Sequence, residues 1–300
     1  MPCFLGEYTS NAGDSAKDKP GKFHRAVESV LGQSFQDFEL IIVDDCSTDR
    51  SVEIARRYQS DPRVRVHVNE RNLGDYPNRN RAAELAKGQY LKYLDADDIL
   101  YSHSLEFMVS SMRTAPAAAL GVCWGVADPP RPYPFTSSPR EVYLAHFLGR
   151  SVLGAGPSGA IMRHDAFSAA GGFSGRQFIG DDELFLSLAH RSPVVSLPPA
   201  LVWCRKHEGQ QTVLEQGRPE ILTVRYRLEC RTLESTHLLE PAEKRLAGAR
   251  LRYRHGRQLL SMALKAHKPL IAWRLWRDAG LNWMDVFRCL HPRGTSLWTR

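Results

Sequence analysis

An α/β fold with a mostly parallel, doubly wound sheet and a C-terminal helical appendage is predicted by three features of the 300-residue sequence. Short apolar runs alternate with helix-period segments between residues 23 and 126, the order expected of a parallel sheet covered on both faces by helices. Two of those runs, ELIIVDD (39–45) and QYLKYLDADD (89–98), end in clustered carboxylates. From about residue 213 to near 290 the pattern is helical, with a break around His267–Pro269. The expected domains are therefore an α/β domain over 1–212 and a helical region over 213–300.

Residues 1–21 open with MPCF and continue into the polar stretch SNAGDSAKDKPGK, which reads as a loop. From Phe23 a helix follows, because Phe23, Ala26, Val27, Val30 and Leu31 share one face. ELIIVDD is apolar until its final carboxylates, as suits a buried parallel strand whose carboxyl end opens into a site. Ser47-Thr48-Asp49 supplies capping chemistry for a helix over about 50–58. VRVHV (64–68) is a second strand, Asn69–Pro77 a turn-rich loop, and about 78–87 a helix that stops before Gly88. QYLKYLDADD is a third strand, about 103–113 a helix, and AALGVCWGV (118–126) a further strand. The Pro-rich stretch 127–140 reads as irregular. Residues 154–167 read as loop, strand and helix start, 178–191 as a loop entering a helix, and 194–207 as extended chain.

Hydrophobic residues make up 43% and charged residues 24%, ordinary for a globular chain that buries a core without disulfides. The six cysteines form no CxxC pair and suggest neither a zinc site nor a disulfide framework, so a reducing, cytoplasmic setting is expected. Neither a signal peptide nor a membrane-spanning run is expected. The formal charge is +7, with Arg dense after about residue 218. Trp273, Trp276 and Trp283 are interleaved with Arg252, Arg254, Arg257, Arg274 and Arg277. Basic helices of this kind either lie on an anionic surface, here the inner face of the plasma membrane, or pack by their Trp against the main domain. No nucleic-acid partner is expected.

The carboxylates carry the strongest chemical signal. Ligands of open α/β sheets sit beyond the carboxyl ends of the strands, where Asp44, Asp45, Asp95, Asp97 and Asp98 are expected. Clustered carboxylates repel unless a cation or donors neutralise them, and Mg²⁺ is commonly shared between one or two carboxylates and substrate phosphates. Turn formation and helix capping are the plain alternative for these Asp residues. Gly154-Ala155-Gly156-Pro157-Ser158-Gly159 matches the GxGxxG spacing, but it lies mid-chain, contains Pro and precedes a strand, so NAD binding is not expected.

AVESVLGQSFQDFELIIVDDCSTDRS followed by NLGDYPNRNRAAELAKGQYLKYLDADDIL resembles the nucleotide-binding half of the family 2, GT-A fold, inverting glycosyltransferases. The resemblance runs from about Phe23 to Leu100 and resumes over 154–212, leaving the last 80 or so residues without a family signal. It implies a Rossmann-like GT-A domain, a UDP- or GDP-sugar donor, a carbohydrate or lipid-linked acceptor, and Mn²⁺ or Mg²⁺. By that resemblance Asp45, with Asp44 beside it, meets the nucleotide base; Asp95 meets ribose or metal; Asp97 holds the metal with Asp98 as helper. Arg79 and Arg81 fall where the family often contacts the nucleotide. In Gly180-Asp181-Asp182, Asp181 aligns with the general base and Gly180 replaces the family's Glu, with Asp182 the second candidate. CRKHEGQQT (204–212) resembles the family's Tyr-Arg-x-His segment and places His207 at the diphosphate or metal.

The family begins with a strand ending in Pro-x-Tyr-Asn, whereas this chain begins Met1-Pro2-Cys3-Phe4-Leu5. Pro2 to Phe4 are expected to form the nucleotide-side end of that strand. The implied activity is metal-dependent inverting transfer in polysaccharide, lipopolysaccharide or glycolipid synthesis. The alternatives are a nucleotidyltransferase, for which KPGK (19–22) is a poor triphosphate loop, and a degenerate sugar-nucleotide-binding module.

Overall fold

The structure, a computed structural model, describes residues 3–8, 19–123, 131–205, 218–282 and 284–285. The chain divides into two compact units, residues 1–142 with 152–210 and residues 143–151 with 211–300.

The first unit is built on strands β1 (Cys3–Tyr8), β2 (Glu39–Asp44), β3 (Val64–Val68), β4 (Tyr90–Asp95), β6 (Leu120–Cys123), β7 (Phe135–Ser137), β8 (Ala160–Arg163) and β9 (Val194–Leu197). They form one eight-stranded sheet in the order β3-β2-β1-β4-β8-β6-β9-β7. The β1–β2, β1–β4, β2–β3 and β6–β9 pairs are parallel, whereas β8 and β7 run antiparallel to their neighbours. A small antiparallel pair, β5 (Ile99–Leu100) with β10 (Val202–Trp203), lies outside that sheet. The helices of this unit are α1 (Lys19–Leu31), α2 (Ser51–Arg57), α3 (Asp75–Leu85), α4 (Ser104–Thr114), the start of α5 (Pro139–Leu148), α6 (His164–Ala169) and α7 (Gly180–Arg191).

Between Glu39 and Asp44 strand β2 is apolar, as suits a strand covered on both faces. Leu40 and Ile42 join Phe23, Val27 and Val30 of α1 and Ile54 of α2 in one core cluster. On the backbone side of α3, Asn78 Nδ2 donates to the Val43 carbonyl at 3.2 Å. A second cluster joins Met108, Val109 and Met112 of α4 to Ile161, Val195 and Leu197. Burial of each such side chain is worth about 1.5–3 kcal/mol, and together they fix the carboxyl ends of β1, β2 and β4 side by side.

Strand β1 corrects one expectation. It lies inside the sheet between β2 and β4, but Cys3 is its start: Phe4 pairs with Leu40 and Lys92, and Tyr8 pairs with Asp44. Phe4 thus lies four residues, roughly 13 Å, upstream of the strand end, and Glu7 and Tyr8 hold the carboxyl-end positions. Pro2, assigned with it, lies outside the described residues. The segment 127–140, expected to be irregular, contains β7 and the first two residues of α5 in its described part, 131–140. Helix α3 starts at Asp75, three residues before the expected start, because Pro77 falls in the first turn, where its missing N–H costs nothing. Gly74 at φ +88° makes the entry to that helix.

The second unit contains the end of α5 together with α8 (Glu220–Ser235), α9 (Pro241–Lys265) and α10 (Pro269–Asp278). A break at 236–240, unmarked in the sequence reading, is closed by a capping box between Glu240 and Glu243, with Pro241 at the first helical position. Arg250 donates to the terminal carbonyls of α5 at Leu148 and Gly149. Glu229, buried, is held by Arg254 and by His146 at 3.5 Å. None of the described helices is long and apolar enough to cross a membrane.

Candidate functional site

The N-terminal half of α3 is the hub of the site. Asp45, fully buried just beyond β2, accepts from Asn69 Nδ2 (2.9 Å), the Leu73 N–H (2.8 Å) and the Gly74 N–H (2.8 Å). These bonds anchor the turn that launches α3. One turn on, Arg79 donates from Nε to Asp75 at 2.8 Å and from a terminal nitrogen to Asp95 Oδ1 at 2.9 Å. Between them Tyr76 reaches out from the first turn to donate its hydroxyl to Asp181 Oδ1 at 2.9 Å. Asp45, Asp95 and Asp181, widely separated in sequence, are thus each tied to residues 73–79.

Asp95 ends β4, and Asp97 and Asp98 occupy the turn after it, closed by the Asp98 N–H to the Asp95 carbonyl at 3.0 Å. Two outside segments hold this turn. The Asp95 N–H donates to Ser158 Oγ at 2.9 Å, and the fully buried Lys92 ammonium binds the Ser158 and Tyr93 carbonyls. From the other side the Arg205 N–H donates to Asp98 Oδ1 at 3.0 Å, and Arg205 Nε donates to the Asp97 carbonyl at 3.0 Å. The GxGxxG-like segment is therefore a strut under the acidic turn. Burial, reinforced by Asp95 and Asp97, pushes the Asp98 carboxyl up to about 7, and burial lowers Lys92 to about 8.

A divalent cation suits this turn chemically. Three carboxylates lie within four residues, Asp95 and Asp97 disfavour the charge on Asp98, and the Asp95 side chain keeps 39% exposure despite its bond to Arg79. Oxygen donors of this kind are those that Mg²⁺ and Mn²⁺ take. Among the described residues no group of three or more His, Cys, Asp or Glu is arranged as a complete metal site. His207, expected to be a third ligand, lies outside the described residues, two positions beyond Arg205.

Asp181 opens α7 and accepts, at Oδ1, from both Tyr76 and the Asp182 N–H (2.9 Å). Burial first and Asp182 second push its carboxyl up to about 6. Asp44 accepts the Ser47 N–H at 2.8 Å on Oδ2, while its buried Oδ1 has no partner among the described residues. Arg79, expected to contact the nucleotide, is buried and pairs with Asp75 and Asp95. Arg81 pairs with Glu84 at the surface. Tyr76, Lys92, Ser158 and Arg205 escaped the sequence reading as site residues, although each lies in a segment singled out there: NLGDYPN, QYLKYLDADD, GAGPSG and CRKHEGQQT.

Comparison with known proteins places this geometry. The fold is that of GT-A glycosyltransferases: S. aureus TarS (residues 1–349, in complex with UDP-GlcNAc) superposes with a TM-score of 0.71 at 20% identity, over 99% of this chain and 84% of that one. The mannosyltransferase PcManGT of Pyrobaculum calidifontis, in complex with GDP-Man and Mn²⁺, superposes with a TM-score of 0.61 at 15% identity, over 99% of this chain and 87% of that one. Residues 16–171 match glycosyl transferase family 2, and the chain belongs to that family. The Bacillus subtilis protein TuaG, which carries the name of a teichuronic acid biosynthesis glycosyltransferase, is 44% identical over 87 residues, 29% of this chain and 34% of its own length. The uncharacterized glycosyltransferase YibD of Escherichia coli is 39% identical over 101 residues, 33% of this chain and 27% of its own length. The chain thus spans about a third or less of these curated relatives.

Proposed function

We propose that the protein transfers a sugar from a UDP- or GDP-sugar to a hydroxyl of a carbohydrate or lipid-linked acceptor, with inversion at the anomeric carbon. The observation that carries this reading is the convergence of Asp45, Asp95 and Asp181 on residues 73–79 at the carboxyl edge of the sheet. An acceptor hydroxyl is a poor nucleophile until a positioned carboxylate begins to take its proton. Asp181 takes that proton as the oxygen attacks the anomeric carbon and the bond to the diphosphate breaks. The nucleoside diphosphate leaves from the opposite face, so a single displacement inverts the centre.

Asp97 and Asp95, with His207, would hold Mn²⁺ or Mg²⁺, which when bound supplies neutralisation of the charge on the leaving diphosphate. Asp44 is the residue we assign to the base. A buried carboxylate oxygen without a donor is costly, and the ring N–H of uracil or guanine would satisfy it. Cytosine and adenine present acceptors at that ring position. The teichuronic acid assignment of TuaG supports a role in cell-surface polysaccharide assembly. In the second unit, residues 143–151 and 211–300 carry 18 Lys and Arg against 8 Asp and Glu, a formal +10. Leu264, Leu270 and Trp273 stand 68%, 84% and 66% exposed beside Lys265 and Lys268, which supports peripheral contact with an anionic membrane.

Incubation with a panel of UDP- and GDP-sugars and Mn²⁺, followed by nucleoside diphosphate release, tests the reading. Donor hydrolysis is expected, UDP or GDP should inhibit it far better than CDP, and Asp44→Asn should lose about 10- to 100-fold in inhibitor affinity. Turnover of a nucleoside triphosphate instead, or no reaction with any donor, overturns it.

A further inference from the structure

Tyr76 and Gly180 form a matched pair around Asp181. The Tyr76 ring is buried, stacks on Phe173 with centroids 5.1 Å apart, and sends its hydroxyl to Asp181 Oδ1. Phe173 is itself fixed to α3, since Asn80 exchanges two bonds with its backbone at 2.8 and 2.9 Å. A Cβ placed on Gly180 would lie 2.7 Å from both Cδ2 and Cε2 of Tyr76, too close for any side chain unless the ring moves. The backbone of Gly180 is that of an ordinary first helical residue, so the need for glycine is one of space.

The two bonds to Asp181, from Tyr76 and from the Asp182 N–H, both fall on Oδ1. Among the described residues Oδ2 has no donor, which makes it the oxygen available to receive a proton. The charged groups that face this carboxylate are Asp182 on α7 and Arg79 on α3, with Asp75 close to the Tyr76 hydroxyl. Burial and Asp182 raise its affinity for a proton, whereas the Tyr76 hydroxyl, the Asp182 N–H and Arg79 oppose them.

We propose that Tyr76 is a positioning residue that fixes the Asp181 carboxylate with Oδ2 toward the acceptor, and that Gly180 is the space its ring requires. The proposal rests on Asp181 being the base. Tyr76→Phe keeps the ring against Gly180 and removes only the hydroxyl. Hydrogen bonds to charged groups are among the stronger ones, so kcat should fall roughly ten- to hundredfold near pH 6 with KM for the donor unchanged. The acid limb of the kcat profile should move to higher pH, because a donor that favoured the anion is gone.

A double-mutant cycle supplies the second arm. Gly180→Ala should reduce kcat strongly in the wild-type background and little in a Tyr76→Ala background, since Gly180 acts through the ring. Thermal unfolding of each variant checks that it is folded. An unchanged kcat and acid limb in Tyr76→Phe, or additive effects in the cycle, overturn the proposal. Transfer that survives in Asp181→Asn overturns the assignment of the base, and the proposal with it.

Discussion

Arg79 binds the last residue of β4 from below: its guanidinium, buried beneath the acidic turn, reaches Asp95 Oδ1 at 2.9 Å while also holding Asp75 at 2.8 Å. Removal of this cation strands two carboxylates. Breaking a buried pair costs about 3–5 kcal/mol, and the partial exposure of Asp95 puts Arg79→Met at the low end. For a domain of this size that lowers Tm by roughly 6–12 °C. Arg79→Lys recovers only part of the loss, because a single ammonium does not span both carboxylates. A Tm within a degree or two of wild type for Arg79→Met would show that the pair contributes little.

Asp45, unlike Asp44, has both oxygens engaged by internal donors and is expected to behave as a loop anchor, not as the ligand for the base. Its carboxylate accepts two backbone N–H groups and one side-chain amide, all within buried surroundings. In Asp45→Asn one oxygen becomes an NH₂ that faces a donor, so at least one N–H of Leu73 or Gly74 is left unsatisfied at about 1–3 kcal/mol. Hydrogen exchange at Leu73 and Gly74 should accelerate about tenfold or more in the absence of any nucleotide. Normal exchange there, with only donor affinity reduced, would assign Asp45 to the base alone.

The legible parts of the molecule were those whose signals are local. ELIIVDD and QYLKYLDADD announce β2 and β4 because each is mostly apolar, Lys92 apart, and ends in carboxylates, and the alternation with helices then predicts a mostly parallel sheet. Strand β1 was misplaced because CFLGEY carries a Gly and a Glu and lacks an apolar run; it is made a strand by pairing with β2 on one side and β4 on the other. Strand β7, three residues at the sheet edge after Pro134, gives no periodic signal at all. Tyr76 was invisible for a different reason. Its partners Gly180 and Asp181 lie over a hundred residues away, and a tyrosine in a turn-rich stretch says nothing until the fold closes.

Asp181 should reveal its cost in the pH dependence of stability. Its carboxyl is raised from an ordinary 3.8 to about 6 by burial and Asp182. A raised carboxylate favours the folded state fully only below its unfolded value, and that contribution is lost as pH rises through the folded value. A rise of this size corresponds to a few kcal/mol at most, and partial solvent access reduces the expected effect to ~1–2 kcal/mol. Asp181→Asn, which still accepts from Tyr76, should match wild type in Tm at pH 4 and exceed it by a few degrees at pH 8 while losing transfer. Equal Tm values at both pH values would mean that the charge is not strained where it sits.

The tip between α9 and α10 offers the last test. On α10 the buried face is Ala272, Leu275 and Trp276, while Leu270, Trp273, Arg274 and Arg277 point outward on the opposite one. The buried Trp276 is packing within the unit, so the membrane argument rests on Trp273 and the leucines. An exposed Trp and Leu beside lysines satisfy both terms of interfacial binding, apolar insertion and attraction to anionic headgroups. The two terms separate experimentally. Trp273→Ala with Leu270→Ala removes apolar insertion worth about 1.5–3 kcal/mol per side chain, so affinity for phosphatidylglycerol-containing vesicles should fall by more than tenfold at any salt concentration. Lys265→Ala with Lys268→Ala removes about 1 kcal/mol each, a loss that should shrink as salt rises and vanish on neutral phosphatidylcholine vesicles. Flotation that is unaffected by either pair excludes this surface as the anchor. If the apolar pair instead abolishes a concentration-dependent dimer, the outward face of α10 meets a second copy of the chain.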